Sequence, residues 1–158
     1  MKNFSTINYQ LSTLKGFTFI ELILVVSLVL VLGTMGTSLA ARFMTQNAVA
    51  NAQDQLIGDL RKAQMNAMAG KQNDNWGVYY ASNTITLYRG GSWGTKVAGF
   101  DEKFSVPGGV SITSSTGILD WNFTRVTGMV SNAPATITIS GTGTTKTITV
   151  NGQGMVTR

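Results

Sequence analysis

The hydrophobic pattern of the chain changes twice. From Leu22 to Ala41 runs a stretch of 20 residues without a single Asp, Glu, Lys or Arg. As a helix it would be about 30 Å long, the thickness of a bilayer core. From Val49 the pattern becomes periodic. Val49, Ala52, Leu56, Leu60, Ala63 and Ala67 recur every three or four positions, one face of a helix, and Gln53, Asp54, Gln55, Arg61, Lys62 and Gln64 are expected mostly elsewhere. No Pro interrupts Phe17–Ala69, so one helix of roughly 50 residues is predicted, apolar all round at first and amphipathic later. Gly33 and Gly36 loosen it locally, and Gly70 is the expected stop.

Beyond Gly70 the period shortens to two. Six strands are predicted, at 76–80, 84–88, 110–113, 119–123, 136–139 and 146–150, with Gly- and Asn-rich turns between them. Short turns between consecutive strands favour antiparallel pairing, and the segments around Ile137/Ile139 and Ile148/Val150 make the clearest hairpin. The predicted fold class is α+β: a long N-terminal helix whose amphipathic half covers a C-terminal antiparallel sheet domain. The Gly-x-Gly pieces lack a strand-to-helix context and read as turns rather than phosphate loops.

Composition narrows the chemistry. The 158 residues contain no Cys and no His, which removes disulfides, thiolate metal sites and the commonest acid–base group. Seven carboxylates are scattered along the chain, and charged residues make up 12%, about half the usual share. This is a poor set for an enzyme, and no cofactor or metal is implied. Asp101 and Glu102 are poor calcium ligands, because adjacent residues of a strand face opposite sides. Trp76, Trp93 and Trp121 read as core or rim aromatics rather than a stacking platform, and Asp120 as a strand-edge polar residue.

The ends carry the remaining signals. Residues 1–16, MKNFSTINYQLSTLKG, are polar and basic and read as a targeting leader. Lys2 and Lys15 precede the apolar run, which places the N-terminus on the cytoplasmic side and the strands outside. Ser38-Leu39-Ala40 fits ordinary signal-peptidase cleavage, which would release a conventionally secreted β-protein from Ala41. The length of the apolar run and Glu21 at its start count against that. A carboxylate inside a membrane run is costly, about 2.5–3.5 kcal/mol at the centre of a span and less near its end. Such a residue points to function.

Gly16-Phe17-Thr18-Phe19-Ile20-Glu21-Leu22 resembles the prepilin-peptidase recognition site of type IV pilin-like proteins: a short basic leader, Gly, Phe, Glu at the fifth mature position, then an apolar helix. The resemblance implies cleavage after Gly16, N-methylation of the new terminus at Phe17, and pairing of Glu21 with the N-terminal amine of a neighbouring subunit during assembly. It also implies prepilin peptidase, other pilins and an inner-membrane assembly platform as partners. The parts are then a leader at 1–16, a transmembrane and filament-core helix at 17–41, an amphipathic half at 42–70 and a β-rich domain at 71–158. The later segments, LIGDLRKAQMNAMAGKQNDNWGVYY and the terminal NGQGMVTR, are similar to the H-type pseudopilins of type II secretion and the related FimT/FimU minor pilins. The family's frequent helix-kinking Pro is absent here, as is the cysteine-closed C-terminal loop of many major pilins. Certain FimT-like proteins bind DNA through a Gly-Arg-x-Arg tail. The tail here keeps only Arg158, which neutralises about one phosphate and makes nucleic acid a poor partner.

Overall fold

The computed structural model describes residues 16–158, the side chains of residues 35–39 excepted. The chain forms two compact units, one up to Ser38 and one from Leu39 to Arg158. The leader through Lys15 lies outside the described residues, as do the side chains of Gly36, Ser38 and Leu39.

Helix α1 spans Phe19–Met68, 50 residues, close to the length the pattern predicts. Thr18 opens it: the Glu21 N–H donates to Thr18 Oγ1 at 3.3 Å, and the Leu22 N–H to the Thr18 carbonyl at 3.2 Å. Thr18-Phe19-Ile20-Glu21 has the Ser/Thr-x-x-Glu form of a capping box, with the acid in the positive first turn. The other end stops at Gly70, which takes a left-handed φ of 61°. Its N–H donates to the Ala67 carbonyl, as does that of Val126, so the last turn is closed by the chain's own backbone.

In the first unit the apolar side chains from Phe19 to Leu32 are exposed. Among the described residues no helix is long and apolar enough to cross a membrane. The span expected over residues 17–41 therefore enters only as part of the proposed function.

The second unit holds the core. Strands β1 (Trp76–Ala81), β2 (Thr84–Arg89), β3 (Glu102–Ser105) and β5 (Asp120–Phe123) form one antiparallel sheet in the order β3-β2-β1-β5. Strands β4 (Val110–Ser114), β6 (Ala135–Gly141), β7 (Thr144–Val150) and β8 (Val156–Thr157) form a second, in the order β4-β6-β7-β8. The β6–β7 hairpin pairs Ile137 with Ile148 across a Thr142-Gly143 turn. In the β1–β2 hairpin Ser82 and Asn83 both take positive φ, the conformation a two-residue type I′ turn demands.

All six periodic helix positions, Val49 to Ala67, are fully buried. They form one core with Val78, Leu87, Trp121 and Phe123 of the first sheet and Ile112, Ile139, Ile148 and Val150 of the second. Each fully buried Leu or Ile contributes about 1.5–3 kcal/mol. Of the polar residues expected away from the apolar stripe, Gln53 is buried, and Asp59 and Asn66 of the same helix are buried too. Gln53 is buried because its Nε2 donates to the Thr147 carbonyl at 3.0 Å, tying α1 to β7. Asp59 is buried and accepts from Gln55 Nε2 at 3.0 Å; burial raises its carboxyl above the ordinary range.

The outer face of the first sheet carries a polar network. Gly77 pairs with Tyr88, whose ring lies where a Gly77 side chain would be. The Tyr88 hydroxyl donates to Asp120 Oδ1 at 2.5 Å and accepts from Asn122 Nδ2 at 3.2 Å, and the Trp93 N–H donates to Asp120 Oδ2 at 3.1 Å. Burial, with the Asp120 carboxylate beside it, pushes the Tyr88 phenol far above its usual range. Trp76 and Trp121 are core residues, and Trp93 stacks on Tyr79 at 4.2 Å.

Candidate processing and assembly site

Gly16 and Phe17 precede α1 in non-helical backbone, and Phe17 is 84% exposed. Among the described residues nothing lies within 4 Å of where a Gly16 side chain would stand. The peptide bond between them is thus open to another protein, two residues ahead of the first helical residue. Thr18 caps the helix start, and the backbone becomes helical at Phe19.

Glu21 sits in the first turn, exposed, with its N–H already taken by Thr18. Phe19, Ile20, Leu22 and Ile23 surround it in sequence and are exposed as well. The segment therefore presents one carboxylate in an apolar surface that no described residue of its own unit covers. Such a surface is complementary to another apolar helix carrying one positive charge.

The remaining candidate lies elsewhere. Arg158 is at the end of the second unit, where its guanidinium pairs with the Asp54 carboxylate of α1. Its neighbour Arg61 donates to the Val156 carbonyl at 3.4 Å. The C-terminal cation is thus used to fasten β8 to the helix. The two adjacent acids take separate lysines: Asp101 pairs with Lys96, and Glu102 with Lys62 at 2.6 Å. Among the described residues no group of three His, Cys, Asp or Glu side chains is placed to hold a metal ion.

No family model matches the chain. No curated protein matches it either. Two crystal structures of the type IV minor pilin FimU from Pseudomonas aeruginosa do resemble it. One has a TM-score of 0.57 at 14% identity, covering 74% of this chain and 89% of that one. The other has a TM-score of 0.56 at 14% identity, covering 71% and 90%. With its N-terminal helix packed on antiparallel sheets, the chain has the type IV pilin-like fold.

Proposed function

We propose that the chain is a minor pilin or pseudopilin, a structural subunit of a type IV pilus or a type II secretion pseudopilus rather than an enzyme. One observation carries the reading: a pilin-like fold whose helix opens, directly after an exposed Gly16-Phe17 step, with apolar turns bearing a single carboxylate. In this reading residues 17–41 anchor the precursor in the inner membrane with the strands outside. Prepilin peptidase removes residues 1–16 and methylates the Phe17 amine. An assembly platform then moves the subunit into a filament with other pilins.

Glu21 supplies the selectivity of that last step. Alone in lipid the carboxylate is unfavourable. Beside the cationic Phe17 terminus of a neighbour it is compensated, and losing one partner of such a buried pair is costly, about 3–5 kcal/mol. The test is Glu21→Leu in cells, followed by a cleavage blot and crosslinking to partner pilins. Insertion and cleavage are expected to persist, because the scissile step is unchanged, while incorporation falls at least tenfold, the equivalent of ~1.4 kcal/mol. Wild-type incorporation of Glu21→Leu would refute the charge-pairing account. Intact mass of the membrane extract checks processing, with Phe17 expected as the methylated terminus and Ala41 as the terminus that ordinary secretion would leave.

A further inference from the structure

Tyr79 of β1, Thr86 of β2 and Lys103 of β3 stand side by side across the first sheet, Tyr79 opposite Thr86 and Thr86 opposite Lys103. Neighbouring strands lie about 4.8 Å apart, so the backbones of Tyr79 and Lys103 are roughly 10 Å apart. These three residues line an open groove of about 240 Å³, together with Trp93 and the next cross-strand pair, Ala81 and Thr84.

The polar groups of the groove are unspent. Thr86 is only 3% exposed, yet its hydroxyl makes no hydrogen bond among the described residues. A buried hydroxyl without a partner is unfavourable until something pairs with it. The Tyr79 hydroxyl and the Trp93 Nε1–H are likewise without a hydrogen bond among the described residues. Lys103 has neither hydrogen bond nor ion pair among them. No carboxylate lines the groove. The acids of the flanking segments are engaged elsewhere: Glu102 with Lys62, Asp101 with Lys96, and Asp120 with the Tyr88 hydroxyl and the Trp93 N–H. Trp93 itself is held in a stack. Tyr79 lies on one face of its ring at 4.2 Å, which leaves the other face to the Lys96 ammonium, 4.2 Å from the centroid. With both faces taken, Trp93 offers its N–H and ring edge.

We propose that this groove binds one sugar ring carrying a carboxylate, a unit of an acidic polysaccharide. The carboxylate lies on Lys103, and the ring hydroxyls pair with the Thr86 and Tyr79 hydroxyls and with Trp93 Nε1. Hydroxyls both donate and accept, which suits a polyol. The site stands on its own geometry and does not depend on the filament reading. Pockets for drug-sized ligands start at about 300 Å³, so the groove takes one ring rather than several. A single ammonium balances one carboxylate, whereas a phosphate monoester carries a charge of roughly −1.5 to −2. A neutral sugar would leave Lys103 unused. Single-stranded nucleic acid fits less well, because one lysine neutralises about one phosphate and stacking needs a free aromatic face, which Trp93 lacks.

The experiment uses the full ¹⁵N-labelled chain in detergent micelles. It is titrated with galacturonic acid and with the methyl ester of galacturonic acid, which keeps the ring and loses the charge. The three tryptophan indole N–H signals are followed by NMR. Trp76 and Trp121 are core residues and serve as internal controls. A saturable shift of Trp93 alone is expected, with the acid bound about fivefold more tightly than its ester, roughly the worth of one ion pair in water. Lys103→Gln is expected to bring the acid down to the affinity of the ester. Thr86→Val keeps the branched shape and removes the hydroxyl. It is expected to weaken binding of the acid about fivefold, the net worth of one hydrogen bond, with a urea midpoint unchanged or raised.

Absence of a saturable Trp93 shift overturns the proposal, as does an ester that binds as tightly as the acid. Binding that survives both Thr86→Val and Lys103→Gln overturns it too. A lowered urea midpoint in Thr86→Val would mean that the hydroxyl already has a partner in the fold, which removes the basis of the site. Tighter binding of a single-stranded thymidine oligonucleotide than of galacturonate would make the groove a nucleic-acid surface instead.

Discussion

Gly77→Ala puts one methyl group into the tightest cross-strand contact of the first sheet. The new Cβ would stand 2.5 Å from both Cζ and the hydroxyl oxygen of Tyr88, and 2.8 Å from its Cε1. Ordinary carbon contacts are near 3.5–4.0 Å, so the ring must move by about 1 Å. That shift takes the hydroxyl off Asp120, now 2.5 Å away, and off Asn122 at 3.2 Å. Overpacking costs about 1–3 kcal/mol, and a lost hydrogen bond to a charged group about 1.5–3 kcal/mol. A total of roughly 3–6 kcal/mol is expected, a large part of the 5–15 kcal/mol typical of a domain. Urea unfolding followed by tryptophan fluorescence suits the site, because Trp93 lies edge-on to Tyr88 with ring centroids 5.7 Å apart. A double-mutant cycle assigns the cause. In a Tyr88→Leu background the methyl has no ring to strike, and the same substitution should cost far less. If Gly77→Ala costs under about 1 kcal/mol, or the two effects add within ~0.5 kcal/mol, the ring-displacement argument is wrong.

Leu60→Ala removes a fully buried side chain at the centre of the helix stripe and is expected to destabilise by about 2–5 kcal/mol, read as a lower urea midpoint with an unchanged slope. Asp59→Asn tests the buried carboxyl. Because its folded-state pKa is raised above 3.8, the native protein holds that proton more tightly. This contribution to stability is present at low pH and is lost as pH rises from about 4 through the raised pKa. The Asn variant should lack this slope and be at least as stable as wild type at pH 7, as thermal melts across pH 4–8 would reveal. A clearly less stable variant at pH 7 would mean that attraction to Lys62 outweighs burial. Thr18→Ala removes the hydroxyl that caps α1, and about 1 kcal/mol of helix-start stability should go with it, seen as faster amide exchange at Phe19–Leu22.

The parts that could be read from sequence are those whose information is local. The α1 stripe follows from 3.6-residue spacing alone, and Gly70 marks its end because a left-handed residue there suits Gly. Several of the six predicted strands alternate, as β4 and β6 do in their burial. Two strands were not legible. In β3 only Phe104 of Glu-Lys-Phe-Ser is apolar, and it gives no alternation to count. In β8 two residues are too few for any period. The division into two sheets depends on pairings between distant strands, β1 with β5 and β4 with β6, for which no turn in the sequence speaks. The features read at Gly16–Glu21 are contiguous in sequence, and the structure places Gly16 and Phe17 ahead of α1 and Glu21 in its first turn. The groove between α1 and β3 was not legible, because its Met44 and Phe104 are brought together only by the fold.

The order of elements along the chain sets a schedule for biogenesis. The buried stripe of α1 is complete once Ala67 has been made, but the last strands to cover it include Val150 of β7. At 5–20 residues per second the ribosome needs roughly 4–17 s to cover that interval. For those seconds the helix offers Val49, Leu56 and Leu60 to any apolar surface it meets. A holdase that binds amphipathic helices would thus have its decisive moment before the sheets exist, and slowed translation after Ala67 should lower yield without altering the finished fold.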